Sequence, residues 1–170
     1  MGYFNRTALI FILIFLGGSG FGQIQDAPAD VTAAMLIKVI AFETHIANKG
    51  EISIYILDAP AVADELQSGV EKPIGKSILK SIQSGNKLPE HPPTLLYIGD
   101  PDHLETAIQY TQKNKILSVT GKPDLVKKGV ALGFGVGSDG KPKILLNLSS
   151  SVKESLDWNP AILKIAKTIR

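Results

Sequence analysis

The chain holds 170 residues with 18 basic and 16 acidic side chains, a formal net charge of +2, few aromatics (6%) and no cysteine. The missing cysteine excludes thiol catalysis, disulfide bonds and cysteine–metal sites. The nearly balanced, scattered charge leaves no basic footprint for nucleic acid, and the length suits one domain with an aliphatic core that buries about two thirds of its unfolded surface.

Residues 1–22 read as a secretory signal peptide. Arg6 lies in a short polar start, Ala8–Leu16 is an unbroken apolar run, and a small-residue exit places Gly20 and Gly22 before Gln23. The run is too short for a stable membrane anchor, which takes about twenty residues; an uncut N-terminal anchor is the alternative. Cleavage near Gly22 leaves 148 residues with 17 basic and 16 acidic side chains.

After a polar lead-in, Asp30 is placed to cap a helix over Val31–Asn48, which lacks Gly and Pro and stops at Gly50. Apolar residues cover most of its circumference, Met35, Ile37, Ile40 and Phe42 among them. A helix with one wet face is more polar than this, so it is expected to be covered twice, by its own sheet and by something else. Ile52–Leu57 reads as a buried strand, Ala61–Ser68 as a helix, Glu71–Gly75 as loop, Ser77–Gln83 as an edge strand and Thr94–Ile98 as a second buried strand. Asp100 and Pro101 open the next helix as N-cap and first residue, with Asp102 and Glu105 near its positive end and Leu104, Ala107, Ile108 and Thr111 facing inward. Lys115–Thr120 is a strand, Pro123–Lys128 a short helix, and Val130–Val136 and Pro142–Leu148 are joined by a hairpin turn at Gly137–Gly140. A final helix is expected from Asn159-Pro160 to Arg170, with Ile162, Leu163, Ile165, Ala166 and Ile169 as its core stripe. Strands alternating with helices predict a three-layer α/β/α single domain over residues 29–170, its mixed, mainly parallel sheet carrying an antiparallel hairpin at the edge.

Candidate sites are few. Gly133-Phe-Gly-Val-Gly137 lies inside a strand leading to a hairpin, whereas a phosphate loop needs a helix N-terminus. Ala131, Gly133 and Gly135 instead share one face, a bare stripe that lets another element approach closely. Asp100, Asp102, His103 and Glu105 suggest a metal or acid–base cluster, but helix capping accounts for every acid, and His103 reads as a solvated first-turn residue. Neither His45 nor His91 stands at ligand spacing from another histidine. Ser149–Ser151 lack a nucleophile elbow. No catalytic constellation, metal or cofactor is expected, and binding is favoured over catalysis.

The stretch Ile116–Phe134, the hairpin, the strand Lys143-Ile-Leu-Leu-Asn-Leu148 and the closing Ile162–Arg170 resemble the YfiR-like family of periplasmic bacterial proteins. The Ala-rich start of the first helix and the Asp58-Ala-Pro60 turn also fit, so the likeness runs over about residues 31–170. Three departures stand out. The family's aromatic run after the first helix is reduced to Phe42-Glu43, its Gly-Gly-Met step is Gly129-Val-Ala131, and the cysteines of some members are missing. The resemblance implies a secreted α/β regulator, often dimeric, that binds the outer part of a membrane-bound diguanylate cyclase or a related signalling protein and modulates it. Met35, Ile37, Ile40 and Phe42 are then the expected partner or dimer surface, with no enzymatic activity. The competing reading is a periplasmic small-molecule sensor that binds at the C-terminal ends of the parallel strands, near Asp58, Gly99, Asp100 and Thr120.

Overall fold

The computed structural model describes residues 23–170; the signal-peptide assignment lies outside the described residues. The elements run β1 (Gln25–Asp26), α1 (Ala29–Val39), α2 (Thr44–Ala47), β2 (Glu51–Leu57), α3 (Pro60–Gln67), β3 (Pro73–Ile74), β4 (Ser77–Gly85) and β5 (Leu95–Ile98). They continue with α4 (Leu104–Asn114), β6 (Leu117–Thr120), α5 (Pro123–Lys127), β7 (Leu132–Val136), β8 (Pro142–Asn147), α6 (Leu148–Lys153) and β9 (Ala166–Ile169). Among the described residues the strands form one nine-stranded sheet in the order β3-β4-β2-β5-β6-β7-β8-β9, with β1 paired to β7. The central ladders β4–β2–β5–β6–β7 are parallel, while β3, β1 and the β7–β8 hairpin pair antiparallel.

Period-two alternation divides the core into the two faces of this sheet. Ile52, Ile54, Ile56, Leu95, Tyr97, Leu117 and Val119 point to one side, where α1 and α3 contribute Leu36, Val39, Val62 and Leu66, and the turn after α1 contributes Ile40. Leu57, Leu96 and Ile98 point to the other, against Ala107, Leu125 and Val130. The fold is therefore the expected α/β/α sandwich. The stripe on β7 has the expected cause: a Cβ on Gly133 would run into Val126 of α5, and one on Gly135 would run into Ile24 and Pro123. The close-packing partners are a helix and a leading strand of the same chain.

Four local expectations need correction. The long helix breaks: α1 ends at Val39, a 3-10 turn spans Ile40–Phe42, Glu43 is extended (φ −86°, ψ 116°), and α2 restarts at Thr44. Asp30 lies inside α1, whose N-cap position is Pro28 and has no side-chain cap bond. The expected edge strand β4 is the penultimate one, because two residues of the expected loop, Pro73 and Ile74, pair outside it. The final helix is a 3-10 turn, Pro160–Lys164, capped by Asn159, followed by β9. A short apolar stripe does not separate helix from strand. Four ladder positions on the open side of β8, from Ile144↔Ala166 to Asn147↔Ile169, decide for the strand.

Candidate functional site

The groups at the C-terminal ends of the parallel strands are bound within the chain. Asp58, in the left-handed region (φ 54°), holds its Oδ2 2.7 Å from His103 Nδ1. His103 thus lies against Asp58 rather than standing free in solvent, while Asp58 Oδ2 is buried and makes no hydrogen bond. Gly99 packs its backbone on the next turn: a Cβ there would sit 2.5 Å from the Asp58 carbonyl oxygen, and Gly99 N donates to Leu57 O at 2.8 Å. Thr120 Oγ1 donates to Ile98 O at 2.9 Å, and Asp100 Oδ1 caps by accepting from Asp102 N at 2.8 Å. The crevice left beside Asp58 has a volume of about 220 Å³. Among the described residues no group of three or more His, Asp or Glu side chains is placed to hold a metal ion.

The apolar helix face is largely used inside the domain. Ile40 is fully buried in the core, which corrects its expected place on a partner surface, while Met35, Ile37 and Phe42 are half-buried against that core. The second cover expected for this helix is α3, whose Val62, Ala63 and Leu66 share one cluster with Leu36 and Val39.

Two buried carboxyl groups, neither singled out by sequence reasoning, hold the opposite end of the sheet together. Glu43 is 1% exposed. Its Oε2 accepts from Ile46 N at 2.7 Å, capping α2, and its Oε1 accepts from Asp157 N at 2.8 Å. His45 Nδ1 stands 3.3 Å from the same Oε1. Backbone bonds from Thr44 N to Asp157 O and from Asn159 N to Phe42 O, each 2.8 Å, complete the junction. Glu154, wholly buried at the end of α6, accepts from Ser118 N at 3.0 Å and lies 2.6 Å from Thr111 Oγ1. Desolvation dominates there and pushes its pKa up to about 7, against the lowering effect of the Ser118 and Thr111 hydrogen bonds. The single Thr111 hydroxyl proton faces two acceptors, Glu154 Oε1 at 2.6 Å and Ile108 O at 3.0 Å; when Glu154 is protonated, its own O–H donates to Thr111 Oγ1 and leaves that proton to Ile108 O.

Between these two groups a cleft of about 450 Å³ opens at the N-terminal ends of β5 and β6. Its lining includes Ile46, Ile116 and Leu156 together with His45, Lys49 and Lys115. Lys115 and Ser155, both lining residues, adopt left-handed backbone (φ 54° and 59°), a conformation that costs energy outside glycine and is enriched at functional sites.

The family model described as YfiR/HmsC-like matches residues 29–167. The chain belongs to the YfiR/HmsC-like family. A crystal structure of a conserved domain protein from Vibrio cholerae O1 biovar El Tor strain N16961 shares the fold of this YfiR/HmsC-like chain with a TM-score of 0.52 at 11% identity. The match covers 85% of this chain and 60% of the Vibrio one. No curated protein matches the sequence significantly. In this YfiR/HmsC-like protein the shortened Phe42-Glu43 step has a structural counterpart. Glu43 forms an isolated antiparallel bridge with Trp158, the chain's single tryptophan, whose Nε1 donates to Ser151 Oγ at 3.1 Å.

Proposed function

We propose that the mature chain is an exported regulatory subunit that binds a membrane-bound signalling protein, of the diguanylate-cyclase or sensor-kinase type, and modulates its output from the periplasmic side. The family match over residues 29–167 carries this reading. The leader sequence at residues 1–22 supports export. Asp100 is taken up in capping its own turn, Thr120 bonds Ile98 and Asp58 lies against His103, which favours a binding role over chemistry at the strand ends. The homodimer expected from the sequence belongs to the same reading, through the part-exposed Met35, Ile37 and Phe42.

A second reading, a small-molecule sensor, draws on the cleft beside Glu43, where His45, Lys49 and Lys115 surround an apolar floor. It takes the site away from the C-terminal strand ends. Affinity capture from membranes with tagged mature protein separates the two. The regulatory reading expects a membrane-bound cyclase or kinase as the main captured species. Capture of no membrane signalling protein, with a thermal shift on adding a small metabolite that follows mass action, transfers the assignment to the sensor.

A further inference from the structure

The two edges of the sheet are built differently. On one side two-residue β3 covers the start of β4, and its Pro73 has no N–H to offer another strand. On the other side β9 pairs only with β8, so its outer backbone edge is open among the described residues. Immediately before it, Leu163 and Ile165 are 51% and 53% exposed. Beside it lies a groove of about 660 Å³ lined by Ile24, Pro123, Leu145, Ile169, Lys127 and Lys167. An open strand edge next to a partly apolar groove is the geometry of strand addition, in which backbone bonds supply affinity and alternate side chains supply selectivity.

The charge along this edge says what would add to it. Lys164, Lys167 and Arg170 are all exposed, and none forms an ion pair among the described residues. Lys127 already pairs with Asp124 at 2.8 Å. A second copy pairing through β9 would bring both sets of cations into one seam, which like-charge repulsion opposes. Lys167 and Ile169 share the groove-side face with Leu145, the register partner of Lys167. The geometry points to β9 as the docking edge for an extended segment of the regulated membrane protein that presents acidic and apolar side chains on one face. This inference rests on the regulatory reading above and names the surface and chemistry of that contact.

The probe is a backbone-cyclised hairpin peptide whose outer strand reads Thr-Glu-Thr-Val-Thr-Glu, pre-organised so that little ordering cost remains. It is titrated into the isotope-labelled mature protein while amide shifts are followed. The expected result is shifts confined to 165–170 and the groove, affinity about tenfold weaker for Lys167→Glu, and loss of binding at high salt. Equal binding by the same hairpin with Lys in place of Glu overturns the proposal. So do shifts centred elsewhere, an absence of shifts, or concentration-dependent broadening at β9 without peptide, which would mark self-pairing. Capture from membranes distinguishes this inference from the reading it rests on. If wild-type and Lys167→Glu chains capture a signalling protein equally, the edge is wrong and the regulatory reading stands. If the hairpin binds as expected but no signalling protein is captured, the edge stands and the regulatory reading falls.

Discussion

Glu43→Ala is expected to lower folding stability by about 2–4 kcal/mol, a large share of the roughly 5–15 kcal/mol that holds a domain folded. The truncation removes the acceptor for two N–H groups at once, those of Ile46 and Asp157. The buried Ile46 N–H, also the cap of α2, costs about 1–3 kcal/mol when left without a partner, and the part-buried Asp157 N–H about 1 kcal/mol. Because Asp157 and Asn159 are tied to Thr44 and Phe42 by backbone bonds, the loss should spread to the segment that leads into β9. Urea unfolding measures the first effect, and amide exchange at Thr44, Ile46, Asp157 and Asn159 the second. Glu43→Gln, which keeps one acceptor oxygen, should lose about half as much. A Glu43→Ala midpoint within error of wild type contradicts this assignment.

Stability should fall as pH rises from about 5 to 8, and Glu154 should be the main cause. Its folded pKa is pushed up to about 7 from an ordinary 4.5. Below pH 4.5 both states carry the proton and the group contributes nothing. Between the two values the folded chain holds a proton that the unfolded chain has released, so stability declines with pH. Above about 7 both states are ionised and the full cost of burying the charge is present. The size is on the order of 3 kcal/mol. Glu154→Gln should match wild type near pH 5, exceed it at pH 8 and flatten the profile, since an amide can accept from Ser118 N and donate to Thr111 Oγ1. Glu154→Leu should be destabilised at every pH, because the Ser118 N–H is then buried unpaired. A wild-type profile that rises through this range refutes the placement of the acid.

These two residues also mark where sequence reasoning runs short. Buried strands such as Ile52–Leu57 and Thr94–Ile98 were legible because composition and punctuation agree with their tertiary setting. The bare stripe of β7 was legible because period-two alternation needs no distant information. The break at Glu43 was hidden, since its deciding partner, Asp157 N, lies 114 positions away. One signal was present: Leu36, Ile40 and Glu43 follow helical spacing, which sets the acid on the buried face. Glu154 offers none, as it follows Ser150 and Ser151, whose burial the sequence does not announce. The closing strand reads as a helix in the sequence because the open side of β8 that takes it up is a property of the assembled sheet. The aliphatic girth of α1 suggested an outside partner, yet α3 supplies most of its second cover.

The most direct test is the rate at which membranes carrying the captured signalling protein produce its output (cyclic di-GMP for a cyclase, phosphotransfer for a kinase), measured with and without added mature protein. A dose-dependent change in that rate, weakened by Lys167→Glu, is the predicted result. An unchanged rate at saturating protein would contradict a regulatory role.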